Sequence, residues 1–143
     1  MVINILPNQN ILKANFKRCN NWEERYLYII ELGHKISILS PKHHSLKNLI
    51  HGCQSQVWIT LKIDFSNNYV LFKGYSDSSI VQGLLAIIFI FYNNKTYNKI
   101  INFDIQSCFK QLSLDKYLSL SRLQGIEIII NTIKKKLIKL TNK

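Results

Sequence analysis

Carboxylates are scarce in this chain of 143 residues: eight Asp and Glu stand against nineteen Lys and Arg, a formal charge of +11. Proline (two) and glycine (five) are also few, so no Pro- or Gly-rich linker divides the chain, and no internal repeat is seen. The three cysteines, Cys19, Cys53 and Cys108, are odd in number and widely spaced. That excludes a disulfide framework and a paired CxxC metal signature, and it reads as reduced thiols. No apolar run reaches the ~18 residues of a membrane span; the longest, Leu84 to Tyr92, suits a buried helix. The opening Met1 to Pro7 lacks a basic start and a small-residue cleavage site, so no secretory signal is expected and the chain reads as cytoplasmic.

What is present describes a globular protein. Hydrophobic residues make up 47% and charged residues 19%, enough apolar side chain to bury a core in one domain spanning residues 1–143. The positive charge raises nucleic acid as a partner. Only Arg18, Arg25 and Arg122 are arginines, however, and Lys, Asn and Ile are used heavily throughout, as AT-rich coding drift produces. The dense cluster, Lys134 to Lys136 with Lys139, falls on a helix-like segment whose solvated face accounts for it. Without a helix-turn-helix pattern, an aromatic stacking platform or an Arg-rich stripe, neither nucleic acid nor membrane is the expected partner. An acidic protein partner stays compatible with the charge, and a homodimer is left open.

Periodicity lays out the elements. Asn10 is expected to cap a short helix carrying Ile11, Leu12, Phe16 and Cys19 on its apolar side. Asn20 or Asn21 begins a second helix, with Glu23 and Glu24 opposing its positive end. Pro41 to Lys47 is a polar, basic loop. From Gln56 to Phe65 the period becomes two, with Val57, Ile59, Leu61, Ile63 and Phe65 on one face. Ser66, Asn67 and Asn68 supply a turn, and Tyr69 to Tyr75 returns as the second strand of an antiparallel hairpin. Asn48 to His51 adds a short third strand. Ser76, Asp77, Ser78 and Ser79 are capping candidates for the apolar helix Ile80 to Tyr92, Asp77 a good one among them, and Thr96 caps another. A closing helix from about Ser121 to Leu140 buries Ile126, Ile130, Ile133, Leu137 and Leu140. The expected fold is α+β, a small antiparallel sheet of about three strands packed against helices.

Cys53 carries the chemical interest. It follows Gly52 and precedes Gln54 and Ser55, a setting of flexible and polar residues that places it on an exposed turn, where a thiol has the access its reactivity needs. Cys19 continues an apolar stripe, and Cys108 lies in a segment without such a turn, so both read as packing residues. From the residues alone Cys53 is either structural or reactive. His43, His44 and His51 with Cys53 lack the spacing of a zinc set, and a Cys53–His51 hydrolytic pair has awkward geometry and no legible oxyanion hole.

Several ordered blocks decide between the readings. Asn21 to Tyr26 (NWEERY), Ile30 to Gly33 (IELG), Gly52 to Trp58 (GCQSQVW), Ser76 to Val81 (SDSSIV) with Gly83 and Leu84, Asn102 to Asp104 (NFD), and Ser121 to Gly125 (SRLQG) together resemble the SufE family of sulfur-acceptor proteins. The resemblance implies an accessory, non-enzymatic protein with a fold similar to the scaffold IscU. Cys53 would take persulfide sulfur from a SufS-type cysteine desulfurase, stimulate it, and pass the sulfur to a SufBCD-type iron-sulfur scaffold. Pyridoxal phosphate would belong to the desulfurase, and no cofactor or metal is expected here. An IscU-like cluster scaffold is the alternative. The resemblance assigns Asp77 and Arg122 to loop or partner positioning. Gly52 would permit loop movement, Gln54 and Ser55 would hydrogen-bond it in either position, and His51 or Arg122 would favour the thiolate. Tyr75, where the family commonly has an acidic residue, and Tyr97, where it often has proline, depart from the pattern.

Overall fold

Asparagine, serine, threonine and aspartate side chains set the starts of the helices. In the computed structural model, which describes residues 6–36 and 39–142, α1 (Gln9–Arg18) begins at Asn8, whose side chain accepts from the Ile11 amide. Asn8 has the extended backbone of a cap (φ −75°, ψ 170°), whereas the expected Asn10 already lies inside the helix. The expected absence of a signal at Met1 to Ile5 concerns residues outside those described. Helix α2 (Trp22–Gly33) begins at Asn21, which accepts from the Glu24 amide, while the Glu24 carboxylate returns to the Asn20 amide. Cys19 is half-buried, not a core residue. It is the C-cap of α1 with extended backbone, so it leaves the helical phase that carries Leu12 and Phe16 inward.

Strands β1 (Val57–Asp64) and β2 (Tyr69–Ser76) form an antiparallel hairpin in register from Val57↔Ser76 to Asp64↔Tyr69. The left-handed Asn68 (φ 62°) turns the chain. The expected third strand is reduced to one bridge, Leu49↔Trp58, so the sheet has two strands. The Ile50 amide donates to Val57 O (2.8 Å) and the Ile59 amide to Asn48 O (2.9 Å). Upstream of Asn48 the chain is curled, with the Leu49 amide donating to Ser45 O (3.0 Å), and pairing ends there. Val57, Ile59 and Ile63 point into the core as expected, but Phe65 is 77% exposed. The strand stops at Asp64, whose carboxylate accepts from the Ser66 amide and hydroxyl.

Helix α3 (Ser79–Tyr92) is buried at every position from Ile80 to Tyr92 except Val81, which makes it the centre of the molecule. Its cap is Ser78, not Asp77. Two glycines bring α2 and α3 into backbone contact. A Cβ on Gly83 would stand 2.1 Å from Ile29 O, and one on Gly33 would stand 2.8 Å from the Gly83 nitrogen. Between them, buried Gln82 accepts from the Ser76 amide (2.8 Å) and donates to Gly33 O (3.3 Å), joining the end of β2 to the end of α2. Helices α4 (Tyr97–Asn102), α5 (Ile105–Gln111) and α6 (Leu114–Tyr117) follow, α4 capped by Thr96 as expected and α5 by Asp104.

Helix α7 (Leu120–Thr141) starts at Ser119 and buries Ile126, Ile129, Ile130, Ile133 and Leu137. Leu140, expected in that row, is 41% exposed, about one turn beyond Leu137, the last buried residue of the helix. The buried apolar residues form one contiguous core that includes Cys108. Among the described residues no helix is long and apolar enough to cross a membrane.

Candidate functional site

The loop before β1 is shaped by Gly52, whose φ of +101° lies in the left-handed region. A side chain there would be strained, and its Cβ would also press on Ile128 Cδ1 at 3.3 Å. This turn leaves His51 and Gly52 at the surface and directs Cys53 back towards the body, where it is half-buried against the core. The turn is exposed at His51 and Gly52, while the thiol itself packs against apolar surface.

Cys53 Sγ donates a weak hydrogen bond to Gly125 O on α7 (3.7 Å). It lines a cavity of about 300 Å3. Val81 and Leu84 of α3 with Ile126 and Ile129 of α7 give the cavity apolar walls, and Gln54, Ser55, Ser119, Ser121 and Arg122 supply polar groups. Burial pushes the Cys53 thiol above its ordinary value, with no charged neighbour opposing the shift. Of the two cations expected to favour the thiolate, Arg122 lines the same cavity and His51 lies at the surface of the turn.

Four of the residues singled out in the sequence, Cys53, Gln54, Ser55 and Arg122, line this one cavity. Gln54 accepts from the Ser121 hydroxyl (3.4 Å), a second tie between the loop and α7. Asp77 sits behind the loop instead. Its Oδ1 accepts from the Gln56 amide (3.1 Å), and its own amide donates to Gln56 O (3.3 Å). Asp77 therefore fixes the point where the loop enters β1 and does not pair with Arg122. Among the described residues the ion pair within 4.0 Å is Lys35 with Glu31, at 3.9 Å. No three His, Cys, Asp or Glu side chains among them converge to hold a metal ion, and the His44 ring stacks on both Trp58 (4.6 Å) and Tyr75 (4.8 Å).

Gly125 and Ser119 were not legible as site residues. The carbonyl of Gly125 left no signal, because a backbone acceptor carries no residue signature.

Comparison with known proteins places these features in context. A family model described as "SufE: Fe-S metabolism associated domain" matches residues 10–137. The fold is similar to the solution structure of a hypothetical protein from Thermus thermophilus, with a TM-score of 0.74 over 97% of this chain and 99% of that one. The two share 13% sequence identity, so this likeness concerns the fold.

Proposed function

From the premise that the chain belongs to the SufE family and so to Fe-S metabolism, we propose that Cys53 accepts sulfur from the persulfide of a cysteine desulfurase and carries it to a cluster scaffold. The observation carrying this reading is the placement of Cys53 on a glycine-hinged loop at a lined cavity, beside Gln54, Ser55 and Arg122. In the transfer, the Cys53 thiolate attacks the outer sulfur of the donor persulfide. A new S–S bond forms at Cys53 Sγ, the donor's S–S bond breaks, and the donor cysteine leaves as its thiolate. The sulfane sulfur keeps its oxidation state, and no cofactor is needed on this chain.

The resting geometry suits a carrier. As a thiol, Cys53 donates to Gly125 O; as a thiolate it would face that carbonyl with like partial charge. Deprotonation therefore favours leaving the cavity, and Gly52 permits the backbone change. Once sulfur is loaded, return to the apolar walls keeps the persulfide from reductant. Arg122 lies on the same cavity and can face the charged donor as the loop swings. Asp77 and Gln56 hold the far end of the loop, so the movement is confined to the residues before β1.

Incubation with a cysteine desulfurase and cysteine, followed by peptide mass spectrometry without reductant, tests this. Wild type should gain one sulfur atom on Cys53 and accelerate the desulfurase, and Cys53→Ser should do neither. Sulfur on Cys19 or Cys108 with none on Cys53 would overturn the assignment.

A further inference from the structure

A second feature lies further along α7, away from the thiol. The register of the sheet decides which backbone groups of β1 face outward. Because the Ile59 amide and the Val57 carbonyl meet the Asn48 to Ile50 segment, odd-numbered residues of β1 turn their backbone groups away from β2. The partner segment stops at Asn48, so at Leu61 this edge is open, and no described residue hydrogen-bonds its amide from that side. Beside the open edge runs a groove of about 530 Å3 between β1 and the end of α7.

Ile59 and Leu61 border this groove from the sheet and Leu140 from the helix, while Lys47, Lys136 and Lys139 supply its charge. No carboxylate is among the lining residues. Lys136 is half-buried, and its ammonium is disfavoured by burial first and by Lys47 second. An unpaired strand edge, an apolar border and one sign of charge together match a strand of opposite charge. Lysines beside an open edge also deter self-pairing, which favours an acidic strand over a second copy of this basic chain.

We propose that this edge is a docking site for an extended acidic segment of a partner protein, which adds to β1 as a strand past Asn48 and sets its carboxylates against Lys47, Lys136 and Lys139. The inference rests on the edge and the groove, independently of any sulfur transfer at Cys53.

The test titrates the intact protein with a short synthetic peptide that alternates Glu with Val, read by amide hydrogen exchange and calorimetry. Binding should slow exchange at the Leu61 amide by roughly tenfold as that edge becomes paired. Lys136→Ala combined with Lys139→Ala should weaken binding by roughly tenfold while circular dichroism stays unchanged. The same peptide N-methylated on its strand-facing amides should bind wild type far less well, a control that needs no protein variant. Equal binding of the N-methylated peptide, no protection at Leu61, or no binding at all would overturn the proposal. So would a short single-stranded RNA that bound the same lysines more tightly than the peptide, which would make the groove a polyanion site.

Discussion

A thiol that donates to a helix carbonyl and rests against apolar side chains is held in its neutral form. For Cys53 both conditions apply, and the sign of the consequence is fixed. With the ionisation raised, the thiolate fraction at neutral pH falls below that of a free cysteine, whose pKa is about 8.5. Iodoacetamide labelling of Cys53, followed peptide by peptide, should therefore be slow at neutral pH and climb through a midpoint above that of a model thiol. A midpoint at or below the free value would mean that a cation activates the resting thiol after all. Addition of a desulfurase should speed labelling at fixed pH if docking brings the residue outward. At this scale the sequence made legible which residues gather at the loop before β1, as with Gly52, Cys53 and Asp77. It was illegible for the direction of the thiol, which depends on the φ of Gly52 and on the Gly125 carbonyl 72 residues away along the chain.

The elements were legible through their periods and caps, and the departures have local causes. Thr96 gave a correct start, and the Asn20–Asn21 pair and the change to period two at Gln56 fell within one residue of theirs, because each is a short-range signal. The third strand shrank to a bridge because a turn at Ser45 to Leu49 bends the chain from the sheet, which no apolar pattern announces. The α2–α3 crossing was also hidden, since its determinants are residues without side chains. Gly83→Ala should be severely destabilising, by about 3 kcal/mol or more, because its methyl would meet the Ile29 backbone and neither helix can yield locally. Urea denaturation gives the measurement. Gly125→Ala is the matched control: nothing lies within 4 Å of a Cβ there, and the better helix former should raise stability by about 1 kcal/mol. A gain at Gly83 like that at Gly125 would show that helix propensity, not the crossing, governs Gly83.

For the whole molecule, charge is the dominant property that no single contact explains. With +11 formal charges and the Lys35–Glu31 ion pair among the described residues, repulsion between lysines opposes the folded state. Added salt screens that repulsion, the Debye length falling to about 10 Å at 0.1 M. The melting temperature should therefore rise by a few degrees between 20 mM and 300 mM sodium chloride, roughly the effect of 1 kcal/mol on a chain of this size. A flat or falling trend in differential scanning calorimetry would show that specific pairs outweigh the net charge. Helix α7 gives this molecule one further property. It borders the thiol's cavity near Gly125 and the basic groove near Lys136, stations about 16 Å apart at 1.5 Å per residue. About five residues of extended chain cover that span, so a partner gripping the far station by a short tether would meet Cys53 as an intramolecular neighbour. Encounter at the thiol would then be set by tether length and the effective concentration it imposes, not by the affinity of the thiol's own surroundings.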